Sequence, residues 1–266
     1  MNSTDNREGE LFVYWGYNRA YYGTSDIHYK GDDFDFTLFD ARAMDMPEKF
    51  DPEVYFSPDK ITIPQFNFRV GYYFNKNTAL SVGWDHMKYR LVRNQKLYMN
   101  GYIDPVYSPS NELTSGPVDG YIEYNPEFMD FHHSDGFNFA RVAIEQRLPI
   151  WMSKNGKHHF VMNGSASVGM MFPWTDWTFF GTHYRNKVHL AGYGISLSAG
   201  ARFEFFKYFF VQGMLQAGMA NMTDIMLQDD KKSSRGEQKI EFMERSWSLG
   251  GYIPINGKDK KKAQTN

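Results

Sequence analysis

Cysteine is absent from the 266-residue chain, so neither a disulfide nor a thiolate metal site contributes to its fold. An excess of one charge is absent too. The 29 basic and 31 acidic residues give a formal net charge of −2, which excludes a nucleic-acid binder that works by bulk charge. No apolar run approaches the roughly 20 residues of a transmembrane helix, and the mean hydropathy is −0.57. Any crossing of a membrane must therefore use β-strands.

Sustained helical amphipathicity is also missing, whereas aromatic residues are abundant. The chain has 23 Phe, 18 Tyr and 6 Trp, together with 23 Gly, and this composition favours β structure. The first ten residues, MNSTDNREGE, are polar and contain no apolar stretch. They fit either a cytosolic chain or one whose signal peptide has been removed, and the strands favour the second.

Strict alternation of two residue classes is the clearest pattern in the chain. In AGYGISLSAGARFEFF (191–206) the odd positions are apolar or aromatic, while the even positions are mostly Gly and Ser with Arg202 and Glu204. A soluble barrel would carry its charged residues on the outer face, away from its apolar interior. Here Arg202 and Glu204 share a face with small residues, and this combination favours the crowded lumen of a narrow membrane barrel. Similar segments cover 11–22, 63–74, 78–89, 138–150, 158–172, 209–219 and 240–255.

The connections between these eight segments are alternately short and long. Short ones fall at 75–77, 153–157 and 207–208, and long ones at 23–62, 92–135, 173–188 and 223–239. Outer-membrane barrels have tight periplasmic turns and long extracellular loops. The sequence therefore predicts an all-β single domain over 1–266: an eight-stranded antiparallel up-and-down transmembrane β-barrel in the bacterial outer membrane. Both termini, including the basic tail 256–266, are expected in the periplasm. The strand-like GDDFDFTLFDARA, from Gly31, is interpreted as an extracellular hairpin extending the first strand.

This architecture resembles the small outer-membrane β-barrels of Gram-negative bacteria, a group that includes the OmpA membrane domain and the lipid A enzymes PagP and PagL. The segments DIHYKGDDFDFTL, NFRVGYYF, DHMKYRL and HHSDGFNFA are also similar to an uncharacterised set of surface barrels known only as membrane proteins. The resemblance implies a location and a fold, and it implies no activity.

Charged residues on the lumen side of the strands are expected to pair with one another, because an eight-stranded barrel has no room for a water column. We interpret them as a structural ion-pair plug rather than a proton or ion path. They are Arg69, Asp85, Arg141, Glu145, Arg147, Arg202, Glu204 and Glu244.

Two weaker patterns point to chemistry near the extracellular end. His86, His133, Ser134 and Asp135 contain the residue types of an activated nucleophile, although scattered interfacial histidines are the preferred interpretation. An acidic run in the first loop, with Asp32, Asp33 and Asp35, offers oxygen ligands for Ca²⁺, but its spacing does not match an EF-hand loop, and a solvated hairpin is preferred. We expect no metal and no cofactor.

The second long loop is rich in aromatic residues, which predicts either a folded cap over the barrel or a docking face for another protein. The candidate partner-binding residues are Tyr102, Tyr107, Tyr121, Tyr124, Phe128 and Phe131. The first hypothesis is a non-enzymatic barrel that docks an outer-membrane protein or surface lipoprotein, such as an accessory subunit of an assembly or secretion complex. The second is an outer-leaflet lipid A deacylase or acyltransferase. Outer-membrane lipid and lipopolysaccharide are expected to surround the barrel.

Overall fold

Eight strands close into an antiparallel ring in the computed structural model, which describes residues 6–60, 62–107 and 115–255. The ring closes because the first strand pairs with the last, from Glu10 opposite Pro254 to Tyr22 opposite Phe242. In ring order the strands are β1 (Glu10–Tyr22), β5 (Phe66–Tyr73), β6 (Thr78–Leu91), β9 (Met129–Met152), β10 (His159–Pro173), β13 (Gly192–Phe205), β14 (Phe209–Met226) and β15 (Arg235–Pro254).

The wall of this ring has its polarity inverted relative to a soluble barrel. On β13, Leu197 points outward and is 68% exposed, whereas the neighbouring Ser196 and Arg202 are buried in the lumen. Exposed Val, Ile, Leu, Met and aromatic side chains continue this apolar surface around the other strands. An even-numbered antiparallel barrel with such a wall is of the outer-membrane type, so the predicted fold class and location are confirmed.

The one helix in the described part of the chain, α1 (Pro52–Tyr55), is a single turn. None of the described helical segments is long and apolar enough to span a bilayer.

All eight predicted strands are present, but three of them are longer than the alternation indicated. The strand predicted from Asn138 begins at Met129, the one predicted from Ile240 begins at Arg235, and the one predicted to end at Met219 continues to Met226. The added residues of β14 and β15 pair with each other, and those of β9 and β15 also pair with further strands beyond the apolar wall. His132 on β9, for example, lies opposite Asp176 on another strand. Because both faces are covered there, the two-residue period no longer marks the strand.

The further strands form a cap at the end opposite the tight turns. One sheet continues from the upper end of β15 through β2 (Ser25–Lys30), β3 (Phe34–Ala41), β7 (Gln95–Ile103) and β8 (Gly116–Tyr124). The upper end of β9 pairs with β11 (Asp176–Phe179), which pairs with β12 (Thr182–Arg185), and the short β4 (Ala43–Met44) pairs with β6. The hairpin predicted from Gly31 corresponds to β3, which pairs with β2 rather than extending β1 directly.

Between its two sheets the cap has a core built mainly from aromatic rings. Tyr29 and Phe36 from the first sheet are stacked with centroids 5.0 Å apart. Trp177 and Phe179 from β11 face them and are stacked at 4.7 Å. All four side chains are fully buried, so the long connections fold on themselves as well as on the barrel.

The lumen contains the eight charged side chains that the alternation assigned to it. Asp85 lies between two arginines, with Oδ1 2.8 Å from Arg69 Nη2 and Oδ2 2.8 Å from Arg141 Nε. Glu204 contacts Arg147 Nη2 at 3.0 Å and Arg7 Nη2 at 2.7 Å.

The remaining members of the predicted set form hydrogen bonds with uncharged polar side chains. Arg202 donates to Gln212 and Tyr252. Glu145 accepts from Ser81 Oγ at 2.6 Å, and Glu244 accepts from Asn67 Nδ2 at 2.8 Å.

Candidate functional site on the cap

The outer face of the β7–β8 hairpin presents a patch of tyrosines. Tyr121 is 68% exposed, Tyr102 is 43% exposed and Tyr98 is 36% exposed. The rings of Tyr98 and Tyr121 meet edge to face at 5.4 Å, and the Lys96 ammonium lies 5.0 Å from the Tyr121 centroid. Tyr98 also donates a hydrogen bond to Asp119, which orients its ring. This tyrosine patch is amphipathic, and contacts within it orient Tyr98 and Tyr121, as is common at protein-binding surfaces.

Three of the six predicted partner-binding residues are not available to a partner. Tyr124, Phe128 and Phe131 are buried, and this part of the prediction is wrong. Tyr124 and Phe131 lie on the inward faces of β8 and β9, where the Tyr124 hydroxyl accepts a hydrogen bond from the Phe131 amide. Tyr107 is partly buried and packs on Phe179 at 4.9 Å. These four rings belong to the cap core.

Tyr98 was missed by the sequence reasoning, although a signal for it exists. From Lys96 to Tyr102 the even residues Lys96, Tyr98, Asn100 and Tyr102 lie on the outer face of β7, while Leu97 and Met99 are buried. This is a short two-residue period inside a segment that was interpreted as a loop. Counting alternation within the long connections would have separated the exposed rings from the buried ones.

The patch lies beside an unpaired strand edge. Over the described ranges β8 pairs only with β7, from Ile103 opposite Gly116 to Gln95 opposite Tyr124. Its second edge therefore carries amide and carbonyl groups without a neighbouring strand. Exposed edges of this kind can accept a strand from another chain.

The residues considered for nucleophilic catalysis do not form a catalytic arrangement. Ser134, Asp135 and His86 line one cavity of about 430 Å³ at the outer rim of the barrel, together with Lys88 and Trp174. Each of the three is engaged elsewhere. His86 Nδ1 lies 2.7 Å from Asn138 Oδ1, Asp135 pairs with Arg185 at 2.8 Å, and Ser134 Oγ donates to Asp176 at 3.2 Å.

His133 points away from that cavity into the cap. It is fully buried, with Nδ1 3.1 Å from Thr175 Oγ1 and its ring stacked on Phe137 at 5.9 Å. Burial, together with the neighbouring His132, lowers the pKa of His133 to about 3, so its imidazole is neutral at physiological pH. His133 is therefore a core residue, and its inclusion in the alternative catalytic set is wrong.

A different set of residues, which sequence reasoning did not group, does come together at the rim. His132 and Ser134 lie on the same face of β9, and Asp176 on β11 is opposite His132. Asp176 Oδ2 is 3.2 Å from Ser134 Oγ and 3.9 Å from His132 Nε2. In a hydrolytic triad the histidine lies between the serine and the acid. Here the Asp176 carboxylate lies between them, so the Ser134 hydroxyl contacts the acid and not the histidine of a triad.

The acidic run in the first loop does not converge on a point. Asp35 pairs with His28 at 2.7 Å, whereas Asp33 faces Lys231 at 3.5 Å. Asp32 is exposed to solvent. Within the described residues no group of three or more His, Cys, Asp or Glu side chains could hold a metal ion.

The fold is similar to those of several solved bacterial surface proteins. The attachment invasion locus protein Ail of Yersinia pestis is 12% identical, with 92% of this chain and 99% of Ail covered and a TM-score of 0.34. The outer membrane protein OprG from Pseudomonas aeruginosa is 9% identical, with 95% and 99% covered and a TM-score of 0.39. Neisserial surface protein A is 8% identical, with 93% of this chain and 100% of that protein covered and a TM-score of 0.34. At these identities and TM-scores the similarity says nothing about activity. No protein-family model matches the sequence, and no curated protein matches it significantly.

Proposed function

We propose that this chain is a non-enzymatic outer-membrane barrel whose cap docks another outer-membrane or surface protein, such as a subunit of an assembly or secretion complex. The observation that carries the proposal is the tyrosine patch of Tyr98, Tyr102 and Tyr121 beside the edge of β8 that no other strand of the described ranges pairs with. A free edge supplies main-chain hydrogen bonds, and neighbouring aromatic rings supply specificity. Tyr is also among the residues that contribute most to binding at protein interfaces.

The cap core supports the same proposal. A closed eight-stranded ring does not need the cap for closure, because its pairings from β1 to β15 are complete without it. The buried rings of the cap hold the β7–β8 hairpin through Leu97, Met99 and Tyr124 and leave the tyrosine patch outside. An ordered scaffold lowers the entropy that a partner must overcome on binding.

The test is site-specific photo-crosslinking in cells, with the crosslinking residue placed at Tyr121 and, as the matched control, at the exposed Tyr208 near the tight-turn end. One adduct of defined mass is expected at position 121 and none of that mass at position 208. Replacing Tyr102 and Tyr121 by Ser should abolish recovery of the same partner without changing the amount of folded barrel. Identical adducts at both positions, or full recovery with the double variant, would contradict docking at the tyrosine patch.

A lipid-modifying hydrolase or acyltransferase is the second candidate, and the contact of Asp176 with Ser134 favours it. An acyl-transfer site here would require the His132 ring to come within hydrogen-bonding distance of the Ser134 hydroxyl. His132→Ala and Ser134→Ala decide between the two functions. If either change alone alters the acylation of outer-leaflet lipid while the crosslink at position 121 persists, the enzyme replaces the docking proposal.

A further inference from the structure

Two arginines face each other on the outer wall of the barrel. Arg19 on β1 lies directly opposite Arg245 on β15. Both occupy outward positions, in line with Tyr17 and Trp247, whose rings are 5.6 Å apart. Like charges directly opposite one another on a sheet are destabilising unless an anion lies between them.

No carboxylate forms an ion pair with either guanidinium in the part of the chain that the structure describes. Arg19 donates to the Asn18 carbonyl at 2.7 Å and to the Tyr55 hydroxyl at 3.3 Å, and Arg245 lies 5.7 Å from the Tyr21 ring. Asp45 lies nearby, but its oxygens accept from Gln65 Nε2 at 2.6 Å and from the Ala20 amide at 3.3 Å. Asp45 also interacts with Arg19 through space and lines a second cavity together with both arginines, so one carboxylate, hydrogen-bonded to other groups, faces two positive charges.

The arginines line a cavity of about 430 Å³ between the wall and the α1 segment. Tyr55 of α1 anchors the segment by packing on Tyr17 at 4.9 Å. The rings of Phe50 and Phe56 are 6.4 Å apart and remain exposed, although a loop in water would bury such rings. The remaining lining residues include Tyr17, Trp247 and Ser246. The cavity thus combines two cations with aromatic walls.

The height of the pair matches the lipid headgroups. Arg19 and Arg245 lie well along their strands from the ends at Glu10 and Pro254. At a rise of about 3.3 Å per residue and a tilt of about 40°, they are roughly 23 Å above the tight-turn end, near the upper edge of an apolar band about 25 Å tall. Aromatic and Arg side chains at this level meet headgroups rather than acyl chains.

We propose that Arg19 and Arg245 bind the phosphate group of a membrane lipid, with the rings of Phe56 and Trp247 beside the part of its acyl chains that is nearest the headgroup. A phosphate between the two guanidinium groups accepts charge-assisted hydrogen bonds from both and removes the repulsion within the pair. This site is separate from the tyrosine patch, so its failure would leave the docking proposal untouched.

The experiment is native mass spectrometry of the full chain in a non-ionic detergent. The ligands are bisphosphorylated lipid A, the same lipid A after enzymatic removal of its phosphates, and phosphatidylglycerol. Lipid A with its phosphates is expected to bind at least about tenfold more tightly than the dephosphorylated form. Binding of phosphatidylglycerol as well would identify a general lipid-phosphate site, and its failure to bind would restrict the site to phosphorylated glycolipid.

The double variant Arg19→Gln/Arg245→Gln should lose this preference, whereas Lys154→Gln/Lys157→Gln removes the same charge at the opposite end of the barrel and should keep it. Arg19→Lys/Arg245→Lys should restore part of the binding. Equal binding of the two lipid A forms to the unmodified protein overturns the proposal, and this comparison holds even if a variant fails to fold. Displacement of lipid A by millimolar inorganic phosphate alone, with no discrimination among lipids, would show a free-anion site and overturn it too.

Discussion

Asp85 and Glu204 illustrate how far single residues could be predicted from the sequence. Both were assigned to the lumen because they occupy polar positions in alternating strands, and both are fully buried there. Two partners of Glu204 were not predicted. Arg7 precedes the first strand, and His159, 2.9 Å from Glu204, begins β10. Arg7 lies outside every alternating segment, so its face could not be read from the sequence. His159 lies in the predicted segment 158–172, on the face of Asn163 and Ser165, but no pattern along the chain indicates that it meets Glu204.

The two faces of the wall differ in how they tolerate charge. Ala199 on β13 faces outward, whereas the adjacent Ser198 faces the lumen, where its Oγ is 2.6 Å from Ser165 Oγ. Ala199→Asp should block assembly far more than Ser198→Asp, because a charge facing hydrocarbon costs about 2 to 4 kcal/mol near the midplane for Arg or Lys and somewhat less for Asp. The measurement is the yield of heat-modifiable protein in the membrane fraction. Equal yields would mean that the faces are misassigned.

His133 makes the cap sensitive to acid. Its folded pKa of about 3 lies below the unfolded value of about 6.5, so the unfolded cap binds the extra proton. The contribution of neutral His133 to the stability of the cap is therefore fully present above pH 6.5 and is lost as the pH falls from about 6.5 toward about 3. Burial also lowers the pKa of His132, which acts in the same direction.

Between pH 6.5 and pH 5 the cap of the unmodified chain loses stability because His133 takes up a proton only when unfolded. We expect His133→Gln to make this loss smaller by up to about 2 kcal/mol, since each pH unit contributes about 1.36 kcal/mol. Hydrogen exchange of the β9 and β11 amides reports the opening of the cap. The exposed His183 supplies the control variant, His183→Gln, which should keep the pH dependence of the unmodified chain. The same dependence in all three proteins would refute a neutral buried His133.

Among the elements, the β7–β8 hairpin was the least predictable. Its residues alternate only over short stretches, and the sequence therefore predicts a loop there. The alternation is short because the inward face of the hairpin packs in the cap, and neither face lines the lumen or contacts lipid. The barrel strands alternate over ten or more residues because two different environments impose the period. The strands of the cap pack on residues from other long connections, so lipid and lumen do not impose a two-residue period on their sequences.

Gly101 holds this hairpin on the rest of the cap. It has φ of +142°, and a Cβ there would lie 2.3 Å from the Asp35 carbonyl oxygen and 2.4 Å from Phe36 Cα. Gly101→Ala should therefore separate β7 from β3 and raise hydrogen exchange of the amides in 95–103 and 116–124 by at least about tenfold, with the barrel strands unchanged. Gly120→Ala on β8 meets nothing within 4 Å and is the matched control. Unchanged protection in the Gly101 variant would show that β3 can move to accommodate it.

For the whole molecule, the eight-stranded ring and the end that carries its tight turns could be predicted from the sequence. Of the cap, only the presence of long, aromatic-rich connections at the other end could be predicted, and not their strands. The β1–β15 closure places both described ends of the chain at the tight-turn end. The predicted tail 256–266 lies outside the described residues. Cap and tight turns are at opposite ends, which makes the orientation in the membrane directly testable.

Trypsin added to intact cells should cut after Lys49 or Lys60, both exposed in the connection that carries α1. Lys154 and Lys157, in the turn between β9 and β10, should be spared because the membrane shields them. Mass spectrometry of the fragments identifies the cleaved bonds, and permeabilised cells give the reference for cleavage at Lys154. Cutting confined to Lys154 and Lys157 in intact cells would invert the orientation.

The pairing of β1 with β15 also fixes an order of events in time. The partner of the first strand is the last strand to be synthesised, so Glu10–Tyr22 has an open edge until Arg235–Pro254 arrives. The same final strand pairs with β2 through Arg235 to Gln238 and so joins the first sheet of the cap to the barrel. Such distant contacts are slow to form, and an open edge invites pairing with other chains in the meantime. The open edge of Glu10–Tyr22 therefore needs protection until Arg235–Pro254 pairs with it, and that one pairing both closes the barrel and joins the first sheet of the cap to it.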